Sequence, residues 1–253
     1  SESVIEIAGD VRVNVENINL YCKSGENGIS IFCRQDRHAF IDKVGIFNVS
    51  ACGLNVGGGG SRPVYAGNMS IFGSKENPQQ STGVRIKGPV DCRLSNMEII
   101  SVCVGIEAQS GHIYGDNIHV WTGIWGDEKN CDWWKNTRSI VLGEGANFAG
   151  SQIYPDTSYY VIDQVGDGAI CEISNIMFWE DFSVRHFKER TGTFYHRESG
   201  MTGKLILNGG LIGIEGCEEK PNCITVYTPG EEIRGVMLKS DYPIHPRNLD
   251  RLC

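Results

Sequence analysis

The chain has 253 residues, a net charge of −8 at pH 7 and 32 glycines. The negative charge and the lack of a dense Lys/Arg run argue against nucleic-acid binding, and no apolar stretch approaches the ~20 residues that cross a bilayer. No linker-like segment divides the sequence, so we expect one domain spanning residues 1–253. Because the chain opens directly in a strand pattern, without an initiator Met or a capping element, we expect a fragment of a longer protein.

A short alternating phrase, in most copies built around an asparagine, recurs along the sequence. Its copies lie at 16–20, 44–47, 67–71, 95–99, 116–120 and 174–178, and weaker copies lie at 151–154, 208–211 and 234–237. The apolar residue that anchors each copy recurs every 21 to 35 residues. Such a period is typical of a solenoid, in which each repeat buries its apolar side against its neighbours.

The residues around these anchors read as short strands. In 82–88, alternation places Val84 and Ile86 inside and Arg85 and Lys87 outside. Helix patterns are few, and most windows break at Gly, Asn or Asp. The prediction is an all-β parallel β-helix of about nine coils, roughly 43 Å long at ~4.8 Å per coil. A β-sandwich is the rival fold, but it predicts hairpin turns every ~8 to 12 residues without a long period.

Ten cysteines are present, and most lie inside strand phrases. Cysteines at unrelated spacings within strands are more often small buried apolar residues than disulfide partners. We expect this of Cys22, Cys33, Cys52, Cys92, Cys103 and Cys171. Cys217 and Cys223 bracket an acidic loop and are the one candidate pair for a local disulfide. No zinc-type or EF-hand spacing occurs, so no metal or cofactor is predicted, although the carboxylates of Asp127 and Glu128 leave calcium open.

Two repeats are 35 residues long, with extra residues within 121–147 and 178–201. Insertions in a solenoid emerge as loops on one face, often the binding face. All five tryptophans lie between positions 121 and 179. Flat aromatic rings beside carboxylates suit a sugar-binding surface. We therefore expect sugar contacts at Trp125, Trp133, Trp134 and Trp179, the alternative being that these rings pack within their own loop or against another subunit.

Carboxylates near these tryptophans are candidates for acid and base chemistry. Glycoside hydrolysis needs two carboxyl groups, one protonated toward the leaving group and one ionised. The candidates are Asp127, Glu128, Asp156, Glu180 and Asp181. Adjacent strand residues point to opposite sides, so Glu180 and Asp181 do not both have to face one groove, and Asp156 equally suits a turn cap.

A polysaccharide lyase is the second hypothesis for the same region. Its base would take a proton beside a uronate carboxylate, while cations neutralise that acid. The candidate bases and cations for this chemistry are Tyr159, Tyr160, Arg185, His186, Lys188 and Arg190. Of these, Tyr159 and Arg185 are also the predicted substrate contacts.

The coil phrases resemble the pectate-lyase-type right-handed parallel β-helix across nearly the whole chain. More narrowly, residues 116–121, followed by a loop, a strand and Tyr154-Pro155-Asp156-Thr157, are similar to the depolymerase helices of bacteriophage tailspikes. The W-x-D-H phrase of plant pectate lyases and the N-T-D, G-D-D and G-H-G phrases of polygalacturonases are missing. Their absence disfavours pectin cleavage and leaves no catalytic motif to carry over.

The resemblance implies a homotrimer that binds and cleaves a polysaccharide of the host surface. Such a protein is assembled in the host cytoplasm and carried on the phage tail as part of the virion. The resulting hypothesis is a tailspike-type glycoside hydrolase acting on capsule or O-antigen. A lyase of the same fold and a non-catalytic adhesin or structural spike are the alternatives.

Overall fold

The structure of the chain is a computed structural model that describes residues 2–9, 12–33, 38–58, 63–76, 78–88, 91–122, 135–180, 193–197, 200–214 and 232–240. In these residues the chain forms seventeen strands and one short 3-10 helix, Pro78–Gln80. Within the same ranges, no helix has the length and apolar character needed to cross a membrane.

Short and long strands alternate along the chain. The short strands are β1 (Ser3–Gly9), β3 (Asn27–Cys33), β5 (Cys52–Gly57), β7 (Thr82–Ile86), β9 (Val104–Ala108), β11 (Arg138–Leu142), β13 (Tyr160–Gln164) and β15 (Thr193–Arg197). The long strands are β2 (Val13–Tyr21), β4 (Ala39–Val49), β6 (Val64–Gly73), β8 (Asp91–Ile100), β10 (His112–Trp121), β12 (Asn147–Thr157), β14 (Ala169–Glu180), β16 (Gly203–Ile214) and β17 (Glu232–Ser240).

The two kinds of strand form two separate sheets. The short sheet contains the odd-numbered strands β1 to β15 in chain order, and the long sheet runs from β2 through the even-numbered strands to β16 and β17. Every strand pair recorded in the described residues is parallel, for example β8 with β10 and β10 with β12. The all-β prediction is therefore confirmed, as is the parallel pairing of each strand with its equivalent one repeat away.

Most long strands bend at one residue in the left-handed conformation. The bend residues are Asn17, Lys43, Asn68, Asn96, Asn117, Gln152 and Asn175, with φ between 49° and 56°. Asparagine adopts this region more readily than other residues with a Cβ, which explains the asparagine in the recurring phrase. β8, for example, continues as one strand through its bend at Asn96.

The apolar core lies between the two sheets and forms one cluster that runs from Ile7 to Ile212. Val84 and Ile86 are fully buried in it, whereas Lys87 is exposed, as the alternation predicts. Glycine at the second position of several short strands lets the sheets approach closely. A Cβ added at Gly53 would lie 2.6 Å from Ile71 Cγ2 and 2.7 Å from the carbonyl oxygen of Gly83. A larger residue there would push the two sheets apart.

Five of the strand cysteines behave as predicted. The structure describes Cys22, Cys52, Cys92, Cys103 and Cys171 as free and buried thiols. Burial raises the pKa of Cys52 and of Cys92 to about 12. The side chain of Cys33 and the pair Cys217 and Cys223 lie outside the described residues.

Candidate functional site

The sequence-predicted site falls largely outside the part of the chain that the structure describes. This holds for Asp127, Glu128, Asp181, Trp125, Trp133, Trp134 and Arg185. Trp179 and Glu180 are described in their backbone alone, as the last two residues of β14. Asp156, Tyr159 and Tyr160 are the predicted residues whose side chains the structure places, whereas His186, Lys188 and Arg190 lie outside the described residues.

Asp156 lies near the end of β12, beside a histidine of the neighbouring strand. Its Oδ2 atom is 3.7 Å from His119 Nε2, and both side chains are partly exposed. The His119 ring is stacked on Tyr154 at 4.8 Å between ring centroids. Asp156 thus lies within a strand and close to His119, but without a hydrogen bond, because His119 Nε2 has no hydrogen-bond partner among the described residues.

Glu98 brings a second carboxylate to the same face. It pairs in register with His119, which pairs in turn with Tyr154, so the three form one outward row across β8, β10 and β12. Two strand intervals separate Glu98 from the strand of Asp156, or ~10 Å at ~4.8 Å per interval. An inverting glycosidase places its two carboxyl groups ~6.5–9.5 Å apart. Asp156 also lies two residues beyond Tyr154 along β12, which adds ~6.6 Å along the strand, so the backbone positions of Glu98 and Asp156 are ~12 Å apart. This exceeds the spacing that such chemistry uses, and only the two side chains can bring the carboxyl groups closer together.

Tyr159 belongs to a different cluster, at the start of the short strand β13. Its ring meets Tyr160 edge-on at 5.0 Å. Tyr160 in turn lies between the His196 ring, at 4.6 Å, and the Arg138 guanidinium, 4.1 Å from the Tyr160 centroid. Partial burial raises the pKa of Tyr160 above its ordinary value.

Asp163 holds this cluster together from a nearly buried position. Its Oδ2 atom accepts a hydrogen bond from Arg138 Nε at 2.6 Å, and its Oδ1 atom is 2.7 Å from His196 Nδ1. Because every carboxylate oxygen already has a partner, the cluster is best explained as a structural ion-pair network on the short sheet. Tyr159 contacts this network through the ring of Tyr160.

The outer face of the long sheet carries a stacked ladder that sequence reasoning missed. Phe40 and Tyr65 are parallel, with ring centroids 4.9 Å apart and 4° between planes. The Arg93 guanidinium follows, 5.6 Å from the Tyr65 centroid and 5.7 Å from the Tyr114 centroid. The Arg12 guanidinium lies over the other end, 5.3 Å from Phe40. Rings and guanidinium groups thus form one stacked row across the long sheet, in the order Arg12, Phe40, Tyr65, Arg93 and Tyr114.

A row of small and acidic residues lies beside this ladder. Asp42, Gly67, Ser95 and Asp116 occupy the outward positions next to the bend, one on each of β4, β6, β8 and β10. The two rows enclose an open groove of about 620 Å³. Gly67 on β6 has no side chain, so the groove is deeper at this position.

The bend residues extend the polar row into a hydrogen-bonded chain. Asn68 Nδ2 donates to Asp42 Oδ1 at 2.7 Å, Asn96 Nδ2 donates to Asn68 Oδ1 at 3.1 Å, and Asn117 Nδ2 donates to Asn96 Oδ1 at 2.9 Å. We call this chain the amide ladder. It stabilises the edge of the groove, because each side-chain amide is hydrogen-bonded to the next.

The sequence contains a signal for the aromatic ladder, but only once the bends are known. Each ladder residue lies three positions before a bend residue, as Tyr65 does before Asn68 and Tyr114 before Asn117. Chemically, the face offers ring edges, a guanidinium, carboxylates and amides, which together suit a hydroxyl-bearing ligand. No group of three or more His, Cys, Asp or Glu side chains in the described ranges is placed to hold a metal ion.

Comparison of the chain with protein-family models, with curated proteins and with solved structures gives no match.

Proposed function

We propose that the protein binds a bacterial surface polysaccharide along the outer face of its long sheet. The observation that carries this proposal is the ladder of Phe40, Tyr65, Arg93 and Tyr114 beside a carboxylate and amide row. A sugar presents apolar C–H faces and polar hydroxyls, and the two rows offer a partner for each. The groove is open along the axis of the solenoid, which suits an extended polymer more than a small molecule enclosed on all sides.

Arg93 is the central contact of this proposal. Its guanidinium is held between two rings, and no carboxylate in the described residues forms an ion pair with it. Its N–H groups are therefore open to a glycan oxygen, and a charge-assisted bond of that kind is stronger than a neutral one.

The test is binding of Arg93→Ala to a panel of purified capsular and O-antigen polysaccharides. We expect the affinity to fall about tenfold or more, the size of one charge-assisted hydrogen bond. Lys87→Ala is the matched control, because it removes the same charge from an exposed position just after the short strand β7. Equal binding by both variants and the wild type would show that the glycan does not use this groove.

We also propose that the bound polysaccharide is cleaved, and the observation that favours it is that Glu98 and Asp156 both lie beside His119 on the outer face of the long sheet. Size-exclusion chromatography of each polysaccharide after incubation, with ultraviolet detection, separates the possible outcomes. Short products without new absorbance indicate a hydrolase, and short products that absorb indicate a lyase. Intact polymer despite measurable binding indicates an adhesin.

The wider assignment is a tailspike-type β-helix of about nine coils, forming a homotrimer in a phage virion. Right-handed coiling is expected because parallel strands joined by a crossover are right-handed in nearly all proteins. Light scattering coupled to chromatography tests the trimer directly. A stable monomer at micromolar concentration would remove the trimeric spike from the proposal while leaving glycan binding open.

A further inference from the structure

The aromatic ladder stops abruptly at one strand of the long sheet. The residue that follows Tyr114 in register is Ala149 on β12, and the next is Glu172 on β14. At Ala149, where the next ring of the ladder would lie, the side chain is therefore a single methyl group. We call the space over this methyl, between Tyr114 and Glu172, the Ala149 gap.

One face of the Tyr114 ring borders this gap. The other face is covered by the Arg93 guanidinium, 5.7 Å from the ring centroid. No ring or cation in the described residues contacts the side toward Ala149, and Tyr114 is 46% exposed. Tyr114 is thus the ladder ring that offers a flat face to a ligand, because Phe40 and Tyr65 cover one another and are flanked by Arg12 and Arg93.

The dimensions of the gap fit one sugar ring. Two strand intervals of ~4.8 Å place Glu172 ~9.6 Å from Tyr114 along the axis. A flat ring stacks on an aromatic ring at ~4.5–5 Å, as Tyr65 does on Phe40 at 4.9 Å. A pyranose at the level of Ala149 would therefore stack on Tyr114 and still lie within reach of Glu172.

The polar groups around the gap indicate the kind of sugar. At the far end of the gap, Glu172 is exposed. The exposed Asp116 and the partly exposed Ser151 lie in the adjoining outward row. Carboxylates accept hydrogen bonds from hydroxyl groups but repel a uronate. The gap thus favours a neutral pyranose over an acidic one.

We propose that the Ala149 gap is a subsite for one neutral pyranose, which stacks on Tyr114 and donates hydroxyl hydrogen bonds to Glu172 and Asp116. This inference rests on the proposed glycan binding and deepens it, since it names the place and class of one bound sugar. It also extends the binding face beyond the groove, toward β14.

The experiment fills the gap with a ring. Ala149→Phe places a phenyl group where the ladder would continue, so it stacks on Tyr114 and occupies the space of the sugar. We expect its melting temperature to equal or exceed that of the wild type, while its affinity for the polysaccharides that the wild type binds falls at least tenfold. Ala149→Ser keeps the gap open and should bind as the wild type does. Should Ala149→Phe fail to fold, Tyr114→Leu removes the ring face and should lose binding to the same extent.

The outcomes separate this subsite from the proposed function. Loss of binding in Ala149→Phe or Tyr114→Leu, with binding kept in Ala149→Ser, supports the subsite. Wild-type affinity in the gap-filling variant, together with lost affinity in Arg93→Ala, overturns the subsite but leaves the groove as the binding site. Failure of the wild type to bind any polysaccharide of the panel overturns both.

Discussion

At the scale of single residues, Asp156 is the sequence-predicted acid that the structure places in a chemical setting. His119 lies beside it and Glu98 follows on the next strand, and the proposed cleavage assigns the acid and base roles to Asp156 and Glu98. We expect Asp156→Asn and Glu98→Gln each to lower the cleavage rate by about 100-fold or more, as is usual for loss of general acid or base catalysis.

Release of reducing ends from a polysaccharide that the wild type cleaves measures this prediction. Both variants keep the shape of the side chain, so binding measured in parallel should change little. Glu6→Gln, on the exposed side of the first short strand, is a control that should retain full activity. Wild-type rates in both Asp156→Asn and Glu98→Gln would move the chemistry elsewhere.

At the scale of elements, the bent long strand is the feature that organises the outer face. Asn96 combines a left-handed φ of 49° with side-chain hydrogen bonds to Asn68 and Asn117. We expect Asn96→Ala to lower the free energy of unfolding by about 1 to 3 kcal/mol, from lost hydrogen bonds and backbone strain together. Asn96→Gly should cost less, because glycine tolerates the left-handed backbone.

Urea denaturation followed by circular dichroism compares these two variants with the wild type. A larger loss in Asn96→Gly than in Asn96→Ala would mean that backbone strain at the bend is not a factor. Equal stability of all three proteins would mean that the amide ladder contributes nothing to stability.

The long period and the alternation within it were sufficient to predict the parallel strands, because each repeat supplies one inward apolar set. The ladder on the outer face could not be predicted in the same way. Phe40, Tyr65, Arg93 and Tyr114 are separated by 25, 28 and 21 residues, and only the strand register brings them into one row. The sequence predicted a binding site in the tryptophan-rich insertion instead, because aromatic residues that lie close together in the sequence can be recognised without knowing the strand register.

At the scale of the whole molecule, one continuous apolar core connects the strands from Ile7 to Ile212 in the described residues. Cys92 on β8 and Cys171 on β14 lie in that core, and Cys52 on β5 is likewise fully buried. Burial raises the pKa of each thiol, to about 12 for Cys52 and Cys92. A group with a pKa of about 12 is ionised at pH 8 in about one molecule in ten thousand, so the reactive thiolate is nearly absent in the folded protein.

We expect these three cysteines to resist alkylation by iodoacetamide at pH 8 until the protein unfolds. In a urea series read by mass spectrometry, all three should become labelled at a common midpoint, because neighbouring coils share one apolar cluster and lose it together. The alkylation rate of the same three thiols in the fully unfolded chain is the internal control. Labelling of Cys171 at a clearly lower urea concentration than Cys52 and Cys92 would show instead that the solenoid unfolds from the β14 side in separate steps, each coil depending on its neighbours alone.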